Sequence, residues 1–403
     1  NWTPRKVSVR LVDAQGANPP RIQIKSRGTT PMVFLTAPDQ TGVDPLELDL
    51  PDDGSPLEFW VTGVFQSPSL NPDDSGFVIE HAATGVPLFE QLAMLRVRKN
   101  ANSLTVDERD RFLDAMGALN AAGTGRFRDF RDIHVGGRPS REAHFDMGFL
   151  PWHRAYLLDL ERELQAIDPA VALPYWLFTE ASPNVFTTAF MGLPNAIGRL
   201  EFDTGHALEA WVTDGQLGII RSMGFPPNVA PTGIRSEADT LALAATGGNQ
   251  YRGFATMEGN PHGRAHTRFN GASFIRQIPQ AARDPLFFML HCNVDRLWAK
   301  WQWLNRLHDA ANPQAFNPSL NGRIGHNLVD RMWPWNQVTG FPRPDTAPGG
   351  GLAAAPDTPA PGDEPQVMEM LDYQGILGSH PLGFDYEDVP FEFYPGPTPP
   401  VIW

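Results

Sequence analysis

Six of the eleven histidines in this 403-residue chain fall into two similar sets. His134, His144 and His153 form the first, two in loop-like text and the third opening what reads as an amphipathic helix. His262 and His266 form an HxxxH pair, and His291 follows inside a later helical stretch. Residues four apart on a helix share a face, with Cβ atoms roughly 5 to 6 Å apart, so two imidazoles at that spacing can converge on one metal ion. Taken singly, each histidine reads as an ordinary core or interface residue, and HxxxH alone is a weak signal. The surroundings shift the balance. His153 stands among Phe149, Leu150, Pro151, Trp152 and Tyr156, and His291 among Phe287, Phe288, Met289, Leu290 and Val294. A charged imidazolium is expensive in such settings, so the rings are expected to be neutral, and a buried neutral imidazole needs a partner for its free nitrogen. A metal ion provides one.

The single cysteine, Cys292, excludes an intramolecular disulfide and any Cys-based zinc knuckle, so a metal site must rest on His and carboxylates. The HExxH mark of zinc proteases is missing, because Gly263 follows His262, and no ligand-spaced carboxylate completes either set. A di-zinc hydrolase is an alternative this disfavours.

Several kinds of element must position these residues. From residue 6 to about 64 the text alternates apolar and polar residues between Gly, Pro and Asp punctuation, which predicts half-buried antiparallel strands in a small β-sandwich-like module, assigned to 1–87. Near residue 88 the pattern turns helical. Thr105 and Glu108 form a capping box ahead of Phe112, Leu113, Met116 and Leu119. Further helices are expected over 153–167, with Leu157, Leu160, Leu164 and Ile167 as one stripe, and over 286–307. Residues 179–250 read as long loops draped on a helical core. Residues 339–365 are so rich in Pro, Gly and Ala that they predict an extended crossing or a disordered loop. The main domain is taken as 88–387 and the tail as 388–403.

With 46 acidic against 32 basic side chains, the formal charge of −14 makes nucleic acid and anionic membrane surfaces poor partners. The N-terminal text has no hydrophobic signal core, and no apolar run is long enough to span a bilayer. The sequence begins without Met, so an export signal already removed is compatible with it, and both a cytoplasmic and an exported location stay open.

"HFDMGFLPWHRAYLLDLE" (His144 to Glu161) and "DPLFFMLHCNVD" (Asp284 to Asp295) resemble the two copper signatures of the type-3 copper family of tyrosinases, catechol oxidases and molluscan haemocyanins. "MEGNPHGRAH" (Met257 to His266) resembles the segment supplying the first two ligands of that family's second copper, and "LGFDYED" its closing tyrosine segment. The resemblance implies a mainly α fold, a four-helix-bundle core holding two copper ions, with long loops and the β-module added. It puts His134, His144 and His153 on one ion and His262, His266 and His291 on the other. His81, in "FVIEHAATG", competes for the place of His134 but lies before the first helix of the domain. The implied activity is a polyphenol oxidase of bacterial type, using O2 to oxidise o-diphenols to o-quinones, with hydroxylation of monophenols as a further activity. Three neutral imidazoles per ion serve both Cu(I) and Cu(II). The resemblance also implies a water-orienting role for Glu258, a gate at Ile278, and a hydrogen bond from a ligand imidazole to Asp295, whose alternative is a helix-surface ion pair with Arg296 or Lys300.

The chain departs from the family's pattern in places. Many hydroxylating members have Asn where Gly263 stands, which puts diphenol oxidation ahead of hydroxylation. Cys292 replaces a second histidine after His291 and is badly placed for the thioether some relatives carry, so none is expected. The stretch after Tyr386 is too short for a shielding domain. An oxygen carrier with the same copper pair is the alternative function, against which stands a single unit with its own β-module. That module carries no obvious chemistry, and an oligomer contact, a partner or a frame for the substrate entrance are all open to it.

Overall fold

The computed structural model describes residues 2–10, 21–51, 53–134, 140–243, 249–316, 323–378 and 380–391. The end of the tail, for which a place across the site, in an oligomer contact or on the β-module was open, lies outside the described residues. The chain forms two compact units, one of Asn1–Val97 together with the described residues from Phe384 onward, the other of Arg98–Gly383.

Among the described residues the first unit holds seven strands: β1 (Arg5–Val9), β2 (Arg21–Gly28), β3 (Met32–Leu35), β4 (Leu46–Asp49), β5 (Leu57–Gly63), β6 (Ser75–His81) and β7 (Pro87–Ala93). They pair antiparallel in two sheets, ordered β1-β5-β3 and β4-β2-β6-β7. Alternation explains the pairing faces, since Ile22 and Ile24 of β2 are buried while Gln23 between them and Arg21 and Lys25 beside them are not. Phe34, Phe59 and Phe77 meet edge to face in the core, with centroids 6.1 to 6.4 Å apart. The strand pattern thus runs beyond residue 64, and β7 crosses the position where the sequence put the boundary. The "LGFDYED" segment enters this unit at Phe384: the Asp385 carboxylate accepts the N–H groups of Trp2 and Thr3, and the Trp2 indole donates to the Tyr386 carbonyl.

The second unit is helical: α1 (Val106–Asn120), α2 (Phe127–Ile133), α3 (Ser140–Ala143), α4 (Phe149–Ile167), α5 (Glu237–Leu241), α6 (Gln250–Ala255), α7 (His262–Thr267) and α8 (Leu286–Asn305). The capping box forms as expected, Glu108 N–H donating to Thr105 Oγ1 at 3.2 Å and Thr105 N–H to the Glu108 carboxylate at 3.0 Å. α4 begins four residues earlier than the sequence indicated. Pro151 falls in its first turn, where a missing N–H costs nothing.

α4 is also not the one-faced helix its apolar stripe suggested. Arg154, Asp159, Glu161, Arg162 and Gln165 are as buried as the leucines. The Pro/Gly-rich 339–365 segment is an ordered extended crossing that covers much of the polar side. Arg162 donates to the carbonyls of Ala353 (2.9 Å), Ala360 (2.6 Å) and Leu382 (3.2 Å), and Asp159 accepts the Ala353 N–H and the Trp335 indole, both at 2.9 Å. A segment without helix or sheet must still satisfy its carbonyls, and the helix supplies the donors. Arg162→Met removes all three donor contacts and should cost about 2 kcal/mol of stability. In hydrogen exchange, amides 352–360 are expected to lose protection while those of α8 keep theirs.

Candidate metal centre

Five helices position the histidines around one buried point. His134 is the C-cap of α2, His144 follows α3, His153 lies one turn into α4, His262 and His266 sit on one face of α7, and His291 lies in the second turn of α8. His134, His144 and His153 bring one ring nitrogen each within 4.8 Å of one another, and His262, His266 and His291 do the same. The two sets meet where the rings of His153 and His291 stack, centroids 4.1 Å apart and planes 6° from parallel. His81 ends β6 in the other unit and takes no part.

Backbone carbonyls decide the protonation of these rings. Nδ1 faces the carbonyl of Ile278 in His134 (3.1 Å), of Phe149 in His153 (2.8 Å), of Glu258 in His262 (2.8 Å) and of Ile275 in His266 (2.5 Å). A carbonyl only accepts, so each Nδ1 carries the proton and each Nε2 is a bare lone pair. Those lone pairs point together. His134 Nε2 is 3.3 Å from His144 Nε2, and His291 Nε2 is 3.3 and 3.4 Å from those of His262 and His266. His153 Nε2 is buried with no hydrogen-bond partner among the described residues. A proton on His291 Nε2 could satisfy only one of its two neighbours. A cation between the nitrogens satisfies all of them, and burial pushes the imidazolium forms out of reach. Burial lowers the pKa of His134 to about 3, helped by the neighbouring His266, and that of His266 to about 4. It holds His153, His262 and His291 well below the usual histidine range, the adjacent imidazoles adding to the effect. Neutral, all-nitrogen and soft enough for either oxidation state, the donor set fits copper.

The site opens into a cavity of about 620 Å³ whose wall includes His134, His144, His262, His266, Glu258, Gly263 and Ile278. Glu258 accepts the Phe145 N–H at 2.7 Å, and burial pushes its carboxyl pKa up to about 7 against the lowering by that bond. Phe145 itself is 69% exposed, lines the cavity, and holds a left-handed backbone with φ of 65°. Such strain in a non-glycine residue persists only where surrounding bonds enforce it. Sequence reasoning passed over Phe145, whose one signal was its place directly after a predicted ligand.

Asp295 differs from its expected role. Its oxygens meet two buried arginines, Arg154 Nε at 2.6 Å and Arg98 Nη1 at 3.1 Å, and His291 Nδ1, the imidazole nitrogen nearest in sequence, has no partner among the described residues. Arg296 and Lys300 pair with Glu237 instead. Arg98 also binds Glu161, so α4 and α8 are joined through charge, directly by Arg154 beside His153 and Asp295 one turn beyond His291, and through Arg98 to Glu161 further along α4. The Cys292 thiol is buried and donates to the Leu173 carbonyl.

The family model described as the common central domain of tyrosinase matches residues 124–304. The tyrosinase of Streptomyces glaucescens is 32% identical over 280 residues, covering 61% of this chain and 94% of that protein. The chain belongs to the tyrosinase family. Grixazone synthase of Streptomyces griseus subsp. griseus is 31% identical over 306 residues, with 61% and 95% covered. Among solved structures, a functional unit of octopus hemocyanin superposes with a TM-score of 0.48 at 21% identity, covering 74% of this chain and 70% of that one. Like the rest of the tyrosinase family the protein is a copper-dependent oxidoreductase, and its two triads are positioned to hold a dinuclear copper centre.

Asp295→Asn leaves Arg98 and Arg154 with an uncompensated buried charge and should cost about 3 to 5 kcal/mol in denaturant unfolding of the copper-free protein. A role confined to orienting a ligand ring would leave that stability near wild type and change copper affinity alone.

Proposed function

We propose that the protein is a polyphenol oxidase that oxidises o-diphenols to o-quinones with O2, and that His134, His144, His153, His262, His266 and His291 are the copper ligands. The observation that carries this is the convergence of Nε2 lone pairs from both triads at the floor of a cavity wide enough for an aromatic ring. Each catechol gives up two electrons and two protons, so two catechols reduce one O2 to two waters. Copper, when bound, supplies the O2 activation and the electron path.

The chain's own residues do the rest. The neutral rings hold two metal ions without adding charge, which a dry interior favours. Ile278 faces the cavity with 37% of its surface exposed while its carbonyl holds His134, so one residue both narrows the mouth and orients a ligand. Glu258 is anchored through the Phe145 N–H, and its other oxygen has no protein partner among the described residues, which leaves it to hold a water or receive the proton of a bound phenol. An oxygen carrier needs no cavity of this size beside its metals, and the enzymes among the relatives support catalysis over carriage.

Gly263 bears on hydroxylation. A Cβ there would meet only the Glu258 carbonyl, at 3.3 Å, so a side chain needs a shift of a few tenths of an ångström. Gly263→Asn places an amide beside the water that Glu258 would hold, and the ratio of monophenol to diphenol oxidation is expected to rise. Oxygen uptake by copper-loaded protein on tyramine and on catechol measures it, and an unchanged ratio means that this water does not limit hydroxylation. In the same assay His262→Ala should lose turnover on both substrates.

A further inference from the structure

The cavity wall carries two arginines with no part in holding metal. Arg276 stands between Ile275 and Ile278, whose carbonyls take the Nδ1 protons of His266 and His134. Its Nη1 donates to the carbonyls of Thr267 and Phe269, both at 2.7 Å, so the guanidinium is tethered by one nitrogen while the rest of its fork has no partner among the described residues. Arg252, on α6, lines the same cavity, and its guanidinium makes no hydrogen bond or ion pair among the described residues. Both side chains are exposed.

The acids on this wall do not cancel them. Asp146 is paired with Arg323 at 3.1 Å and accepts the Met147 N–H at 2.8 Å. Glu258 is turned to the Phe145 N–H. In a chain with a formal charge of −14, whose field repels anions at long range, a single cavity thus keeps two unneutralised guanidinium groups. The cavity also has room beyond one aromatic ring.

We propose that Arg276 and Arg252 form an anion subsite that selects phenols carrying a carboxylate or similar oxyanion on the ring's side chain, the ring lying toward the histidines and the tail against the guanidinium groups. This rests on the oxidase function proposed above. Arg276, held by main chain, fixes the tail's direction, and its planar fork matches a carboxylate. Arg252, with no partner among the described residues, reaches tails of different length. A cationic side chain meets repulsion from both.

The test compares copper-loaded full-length protein on 4-methylcatechol (neutral), dihydrocaffeate (anionic) and dopamine (cationic). At low salt kcat/KM for dihydrocaffeate is expected to exceed that for dopamine by about tenfold, the difference lying in KM and shrinking as ionic strength rises. In Arg276→Gln, and separately in Arg252→Gln, which removes no hydrogen bond of the fold, the ratio of kcat/KM for dihydrocaffeate to that for 4-methylcatechol should fall by about threefold to tenfold. Calorimetric binding of 3-phenylpropanoate, which cannot be oxidised, should weaken in step. Equal kcat/KM on the three catechols, or equal losses on all three in the variants with unchanged phenylpropanoate binding, overturns the subsite. Failure to oxidise any catechol with two coppers bound overturns the oxidase function, and the phenylpropanoate titration then decides the subsite on its own.

Discussion

Lone pairs that face one another inside a dry protein are the constraint on which the rest of the second unit depends. Four carbonyls fix the protons of four imidazoles on Nδ1, and the geometry then aims Nε2 atoms at each other at 3.3 to 3.4 Å. In water such nitrogens would hydrate or protonate. Here burial penalises both, and only a cation shared among them relieves the repulsion. The accepting carbonyls are not scattered. Ile275 and Ile278 lie on one short segment and serve one histidine of each triad, and the His153 and His291 rings stack across the divide. The two triads are therefore mechanically one object, which a site for a single shared O2 requires.

Holding that object in register is the work of α4 and α8, and the means is unusual for a core. Arg98, Arg154, Glu161 and Asp295 are all buried to within a few per cent, bonded to one another across the helices, with the Arg154 guanidinium 3.7 Å above the Trp298 ring. Such a network gains little net stability after desolvation. It does fix axial register, since sliding one helix by a residue would strand a charge. His153 and His291, on the same two helices, inherit that register, and Arg154 extends it to Gln302 and the Met370 carbonyl.

Much of this could be read from the chain. The strand alternation, the capping box and the two histidine sets are local patterns, and local patterns survive folding. The choice of His134 over His81 turned on order along the chain, and it is His134 that stands with His144 and His153. What escaped were features made by distant cover. α4 shows one apolar stripe, yet the extended 339–365 segment buries its other side, and nothing in a period of 3.6 announces a Pro-rich strap with carbonyls to satisfy. Asp295 stands at the right interval to serve a ligand ring, but its partners come from residues 98 and 154. The carbonyls that orient His134 and His266 belong to the backbone and have no residue type to give them away. Arg252 and Arg276 look like any exposed arginines until the cavity is seen around them.

Anomalous diffraction at the copper edge, on crystals of the copper-loaded protein, tests the central claim most directly. Two peaks are predicted, one among His134, His144 and His153 and one among His262, His266 and His291. A single peak between the triads, or copper held elsewhere with the six histidines unliganded, contradicts it.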